Sequence, residues 1–203
     1  MNNQEKKFFT TKTVVYLAVL ATLLIVLNLL GTVFKVITNV NLTLIPIVLG
    51  ALILGWRGGL ILGIISGLMT FIFGVTAVDP FTNILFTQHP VLTFLTCVVK
   101  ITVAGVVGGL LYSAVQKKNK YVAVFSASAI IPIINTALFI IGALLMSDTI
   151  GTMAQSNGVD IIYFLVILCA GVNFLIELAI NLLVAPAIHT VVRILEKTAF
   201  KVK

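Results

Sequence analysis

Among the polar side chains inside long apolar stretches of the chain are Lys100, Asn135, Asn173 and Glu177. A charge at the centre of a membrane-inserted helix costs about 2.5–3.5 kcal/mol on insertion scales, so Lys100 marks a bundle interior or an aqueous cavity. An ammonium brings three donors to a carboxylate or other anion, and each asparagine brings both donors and acceptors for amides and hydroxyls. Asn173 and Glu177 are four apart and share one helix face. Together these groups suit recognition of a small molecule rather than bond breaking. The sequence has no Walker A loop, no HExxH pair and no GxSxG elbow. His89 and His189 are its only histidines, so no metal site is expected. Two other arrangements use the same residues. In one, Lys100 pairs with Glu177 and the asparagines bridge helices as structural glue. In the other, Glu177 relays protons in a self-contained, ion-coupled carrier.

The elements that must position these groups follow from composition. The 203 residues are 60% hydrophobic and 9% charged, with a mean hydropathy of +1.21. Soluble domains carry about 25% Asp, Glu, Lys and Arg. The chain therefore reads as a single all-α membrane domain over 1–203: an N-terminal segment 1–12, a six-helix bundle 13–195 and a basic tail 196–203. Apolar runs at 14–34, 44–55, 60–74, 93–112, 121–146 and 161–192 supply six transmembrane helices. The second is about 18 Å long and needs residues of the preceding connection to span. The first is too long for a signal-peptide core.

Six crossings put both termini on one side. Of the 13 Lys and Arg residues, only Lys35 falls on the other side and only Lys100 within the membrane. The positive-inside rule makes the common side cytoplasmic. The connections 35–43, 75–90 and 147–160 are then external. Counting inward at 1.5 Å per residue, Lys100 is about 10 Å deep, Asn135 about 16 Å, Asn173 about 18 Å and Glu177 about 24 Å. Three helices thus bring polar groups to the outer half and middle of the membrane. Gln88 and His89 lie in the 75–90 connection, which is long enough to close over such a site.

Small residues mark packing faces. Gly59, Gly63 and Gly67 repeat every four residues and form a flat stripe for close helix contact. Ala18 and Thr22 make a similar small pair on the first helix. Cys97 and Cys169 lie in apolar runs without metal or redox spacing and read as small apolar residues. A scaffold that binds no ligand would depend mainly on the glycine stripe.

The order of several short pieces resembles the substrate-binding S components of energy-coupling factor (ECF) transporters, which take up vitamins in prokaryotes. The pieces are residues 45–51 running into the glycine-rich 55–67 segment; Val99-Lys100-Ile101 followed by Gly105, Gly108 and Gly109; Asn135-Thr136; and Asn173 with Glu177. The resemblance implies a six-helix protein of the prokaryotic cell membrane with a vitamin pocket near the outer face. It implies association with a membrane coupling subunit and two ABC-type ATPases that use ATP and Mg, while this chain itself holds no cofactor. The S component is thought to topple in the membrane and carry its substrate inward. Small residues on the first helix, usually Ala-x-x-x-Ala, dock on the coupling subunit, and here Ala18 and Thr22 stand in those places. Within the family the chain is most similar to the pantothenate branch, which often has Pro-Arg where Val99-Lys100 stands. Lysine keeps the positive charge and loses the bidentate fork of arginine. The implied ligand is a small anionic vitamin, pantothenate preferred, with riboflavin and folate as alternatives.

Overall fold

The computed structural model describes residues 10–34 and 42–200. Lys6, Lys7, Lys35, Lys201, Lys203 and most of the 35–43 connection lie outside these residues, as does the side chain of Lys197. The described chain is helical: α1 (Thr11–Phe34), α2 (Leu44–Ile53), α3 (Trp56–Val75), α4 (Pro80–Gln88), α5 (Pro90–Val115), α6 (Lys120–Leu144), α7 (Ser147–Ser156), α8 (Ile161–Tyr163) and α9 (Val172–Phe200). A π-helical segment, Phe164–Gly171, joins α8 to α9 without a break.

Five of these stretches are long and apolar enough to cross a bilayer: Thr11–Gly31, Trp56–Val75, Pro90–Val115, Lys120–Leu144 and Ile161–Leu195. The ten-residue α2 is not, because ten residues rise only about 15 Å. Its expected extension from the preceding connection is absent at Leu42 and Thr43, which form a turn. Leu44, Ile47, Val48 and Ala51 are fully buried, so α2 is a core helix wrapped by α1, α3, α5, α6 and α9. It is apolar on every side because every side meets protein.

Gly55, with φ of +71°, turns the chain sharply from α2 into α3. Residues 56–59, which lie between the apolar runs 44–55 and 60–74, are the first turn of α3. The stripe Gly59, Gly63, Gly67 lies against α5 in antiparallel register. A Cβ on Gly59 would run into the Gly105 backbone; one on Gly63 would lie 2.6 Å from Thr102 Cα, and one on Gly67 2.6 Å from Val98 Cα. Only glycine lets the two backbones approach this closely.

The external connections are not plain loops. The 75–90 connection contains α4, started by Asp79 and Pro80. Asn83 Nδ2 donates to Gly74 O (2.8 Å), tying α4 to the end of α3. Phe71 meets Phe86 and Phe94 edge to face, with centroids 5.5 and 5.1 Å apart. The 147–160 connection contains α7. Leu85, Met146, Ile150, Phe164 and Leu165 form a second apolar cluster beneath these two short helices. Across the top, His89 Nε2 lies 2.9 Å from Asp148 Oδ1 and 3.0 Å from Oδ2, linking the α4–α5 corner to α7. The Thr149 backbone N–H, and after it His89, hold the Asp148 carboxyl below its ordinary value against a smaller opposing effect of desolvation.

Two measurements follow from this packing. Gly63→Val should lower the thermal midpoint of the purified protein clearly, because overpacking costs about 1–3 kcal/mol and each kcal/mol shifts Tm by roughly 2–4 °C at this size. Gly151→Ala, with nothing within 4 Å of its Cβ, should leave the midpoint unchanged or slightly higher. Asp148→Asn should weaken the link to His89, since the amide can still hydrogen-bond but carries no charge. Because the folded carboxyl is depressed, the wild-type advantage is present above the ordinary carboxylate value and disappears as pH falls through the lower folded value. Asp148 is 71% exposed, so added salt should shrink the same difference. A wild-type advantage that grew on acidification would contradict the assignment.

Candidate functional site

Beneath α4 is a cavity of about 290 Å³, close to the low end of the ~300–1,000 Å³ range of small-molecule pockets. Every spanning helix contributes to it: Asn28 from α1, Thr70 and Phe73 from α3, Lys100 from α5, Asn135, Thr136 and Phe139 from α6, and Asn173, Phe174 and Glu177 from α9. Thr43, just ahead of α2, also lines it, with Asp79, Phe81 and Thr82 at the start of α4. Lys100, Asn135, Asn173 and Glu177, singled out in the sequence, thus meet in one space.

Their settings differ. The Lys100 ammonium lies 4.9 Å from the centroid of the Phe139 ring, a cation–π contact. Lys100 and Glu177 share the cavity without forming an ion pair with each other. Asn135 is 6% exposed, and its side-chain oxygen accepts no hydrogen bond from the described residues. Such a group is uncommon, because a buried polar atom without a partner loses its hydration for nothing in return. Glu177 is 7% exposed, and one turn further along α9 Asn181 Nδ2 donates to its backbone oxygen (2.8 Å).

The π-helical segment shapes one wall. Leu168, Cys169 and Ala170 line the cavity from its wider turns. Asn173 Nδ2 donates to Cys169 O (3.0 Å), which fixes the orientation of this amide. Gly171 permits the winding, since a Cβ there would lie 2.8 Å from Val166 O. Short π segments of this kind occur often at functional sites.

Gln88 and His89 are outside the cavity lining. His89 engages Asp148 instead, and α4 covers the cavity through Phe81 and Thr82. Ala18 and Thr22 are exposed on α1, far along the helix from Asn28. Thr22 Oγ1 donates to Ala18 O (2.9 Å), which hides the hydroxyl and leaves a small, largely apolar patch. Sequence reasoning missed Asn28, Asp79 and the four phenylalanines. Asp79 had a signal, since Asp followed by Pro marks a helix start. The phenylalanines had none, because 13 of them are spread through the chain.

Among the described residues no cluster of three or more His, Cys, Asp or Glu side chains could hold a metal ion. The arrangement offers one cation, two carboxylates, three amides and an aromatic surround, and it is fitted to bind and enclose a molecule. A search of curated proteins and one of solved structures found no match. The family model for the ECF transporter substrate-specific component matches residues 12–189, most of the chain. With this match and five helices of spanning length, the chain belongs to the ECF transporter substrate-specific component family and is a multi-pass membrane subunit of transport rather than an enzyme.

Proposed function

We propose that this chain captures a small anionic vitamin, pantothenate preferred, at the outer face of a prokaryotic cell membrane. It then carries the vitamin inward together with a membrane coupling subunit and two ABC-type ATPases that use ATP and Mg. The observation that carries this reading is the convergence of Lys100, Asn135, Asn173 and Glu177, from three helices, on one cavity. Lys100 would meet the carboxylate, and the amides would hold the amide and hydroxyls of pantothenate. The start of α2 at Thr43 adds a helix N-terminus to the cavity, and helix N-termini favour anions. The modest volume suits pantothenate better than a flavin.

In the proposed topology α2 and its preceding connection make the second of six crossings, with both termini cytoplasmic. Arg57, Lys117, Lys118, Lys120 and Arg193 then face the cytoplasm, in keeping with the positive-inside rule. The cavity opens toward the outer face beneath α4 and α7, with the Gln88–His89 corner as part of its cover. The Ala18–Thr22 patch would dock on the coupling subunit.

The test is mass spectrometry of the small molecule released from the purified chain, followed by calorimetry. Wild type should bind pantothenate. Lys100→Ala should weaken binding by roughly 10- to 150-fold, the equivalent of about 1.5–3 kcal/mol for a charged hydrogen bond, with no loss of folded protein. Lys100→Arg should retain most of the affinity. Equal binding by wild type and Lys100→Ala would remove the lysine from the site.

A further inference from the structure

The chain has 15 glycines, and the physical reason for most of them is visible. Gly55 and Gly158 have positive φ, which favours glycine. At all but two of the others an added Cβ would come closer than 3.0 Å to another part of the protein. The exceptions are Gly31 and Gly151. Neither has positive φ, and beyond its own helix turn a Cβ at either would meet nothing within 4 Å. Gly151 belongs to α7 and is outside the cavity lining, whereas Gly31 lines the cavity. α1 runs on to Phe34, so Gly31 does not end the helix. Glycine inside a helix is less stable than alanine, and at Gly31 no close protein contact offsets that.

The side chain that Gly31 lacks would enter the cavity. Leu24, seven residues earlier on the same face, is fully buried, while Leu29 and Leu30 are exposed on the outer face. Leu27 and Asn28, one turn earlier, line the cavity as Gly31 does. Helical side chains lean toward the helix N-terminus, so one at position 31 would lie over these two residues. α1 packs against α2 and α3, with no comparable packing on α5, α6 or α9 among the described residues. The cavity therefore lies between this part of α1 and the helices that carry Lys100 and Asn173.

We propose that Gly31 sets the size of the ligand that the site accepts, its bare backbone being the surface on which the uncharged body of the ligand rests. The α1 part of the wall, Leu27, Asn28 and Gly31, carries no charge, so it takes that body while Lys100 holds the anionic group. The inference rests on the proposed binding function and deepens it. The ligand class is an acid with an uncharged body that fills the space in front of Gly31, and any side chain at position 31 competes for that space.

The test enlarges residue 31 in the full chain and reads thermal midpoint and calorimetry on the same preparations. Without an added probe, Gly31→Ala should raise the midpoint by about 1–4 °C. Gly31→Leu should not lower it, because the space is open and leucine is a good helix former. Pantothenate, riboflavin and folate serve as probes. Each one that binds wild type should bind Gly31→Ala several-fold more weakly and Gly31→Leu at least tenfold more weakly. A lower probe-free midpoint for Gly31→Leu would assign the glycine to helix packing and overturn the inference. Unchanged affinity of Gly31→Leu for a probe that binds wild type would also overturn it, with the binding function left standing. If none of the three probes binds wild type, the vitamin reading falls and the inference falls with it.

Discussion

The backbone contact between α3 and α5 sets the position of everything else. In lipid there is no hydrophobic force between helices, so they associate through van der Waals contact and hydrogen bonds. Gly59, Gly63 and Gly67 meet Gly105, Thr102 and Val98 with almost no side chain between them. Lys100 sits within this contact region, between Val98 and Thr102 in sequence, and is therefore held by the most closely packed part of the molecule. α2 packs beside the same pair, and α6 and α9 complete the bundle around it. A rigid seam on one side and a more irregular wall on the other leave the cavity between them.

That irregular wall carries most of the polar groups of the cavity. Asn135 lacks a partner for its oxygen among the described residues, Asn173 is oriented by a carbonyl of the π segment, and Lys100 rests on Phe139. Low dielectric strengthens each polar contact that a ligand completes, and makes each incomplete one expensive in the empty protein. The site is thus less stable than an apolar core of the same shape.

Much of this was legible in the sequence. The long helices were visible because their apolar runs match the bilayer, and the glycine stripe because its four-residue spacing has one physical use. Lys100 stood out through its insertion cost, and Asn173 with Glu177 through a spacing that puts both on one face. Other features were hidden for identifiable reasons. α4 and α7 are short amphipathic helices within polar segments, and nine or ten residues are too few to set them apart from loops. The pairing of His89 with Asp148 joins residues 59 positions apart in the chain, so no local pattern announces it. The π-helical winding at Phe164–Gly171 has no compositional mark, since the same residues would also form an α-helix. The shortness of α2 was visible in its run 44–55, but that Leu42 and Thr43 form a turn instead of extending it was not.

The brevity of α2 also bears on how the protein enters the membrane. A ten-residue helix covers about half of a ~30 Å hydrocarbon core, so lipid alone gives it no stable transmembrane state. Its buried faces are complementary to protein, chiefly α3 and α5, and to α1, α6 and α9. In biogenesis α2 is therefore a passenger: it settles as a hairpin with α3 about Gly55, and it becomes secure only when α5 has arrived against the glycine stripe. The order of synthesis places α5 well after α2, so the innermost helix of the finished bundle is among the last to find its final surroundings.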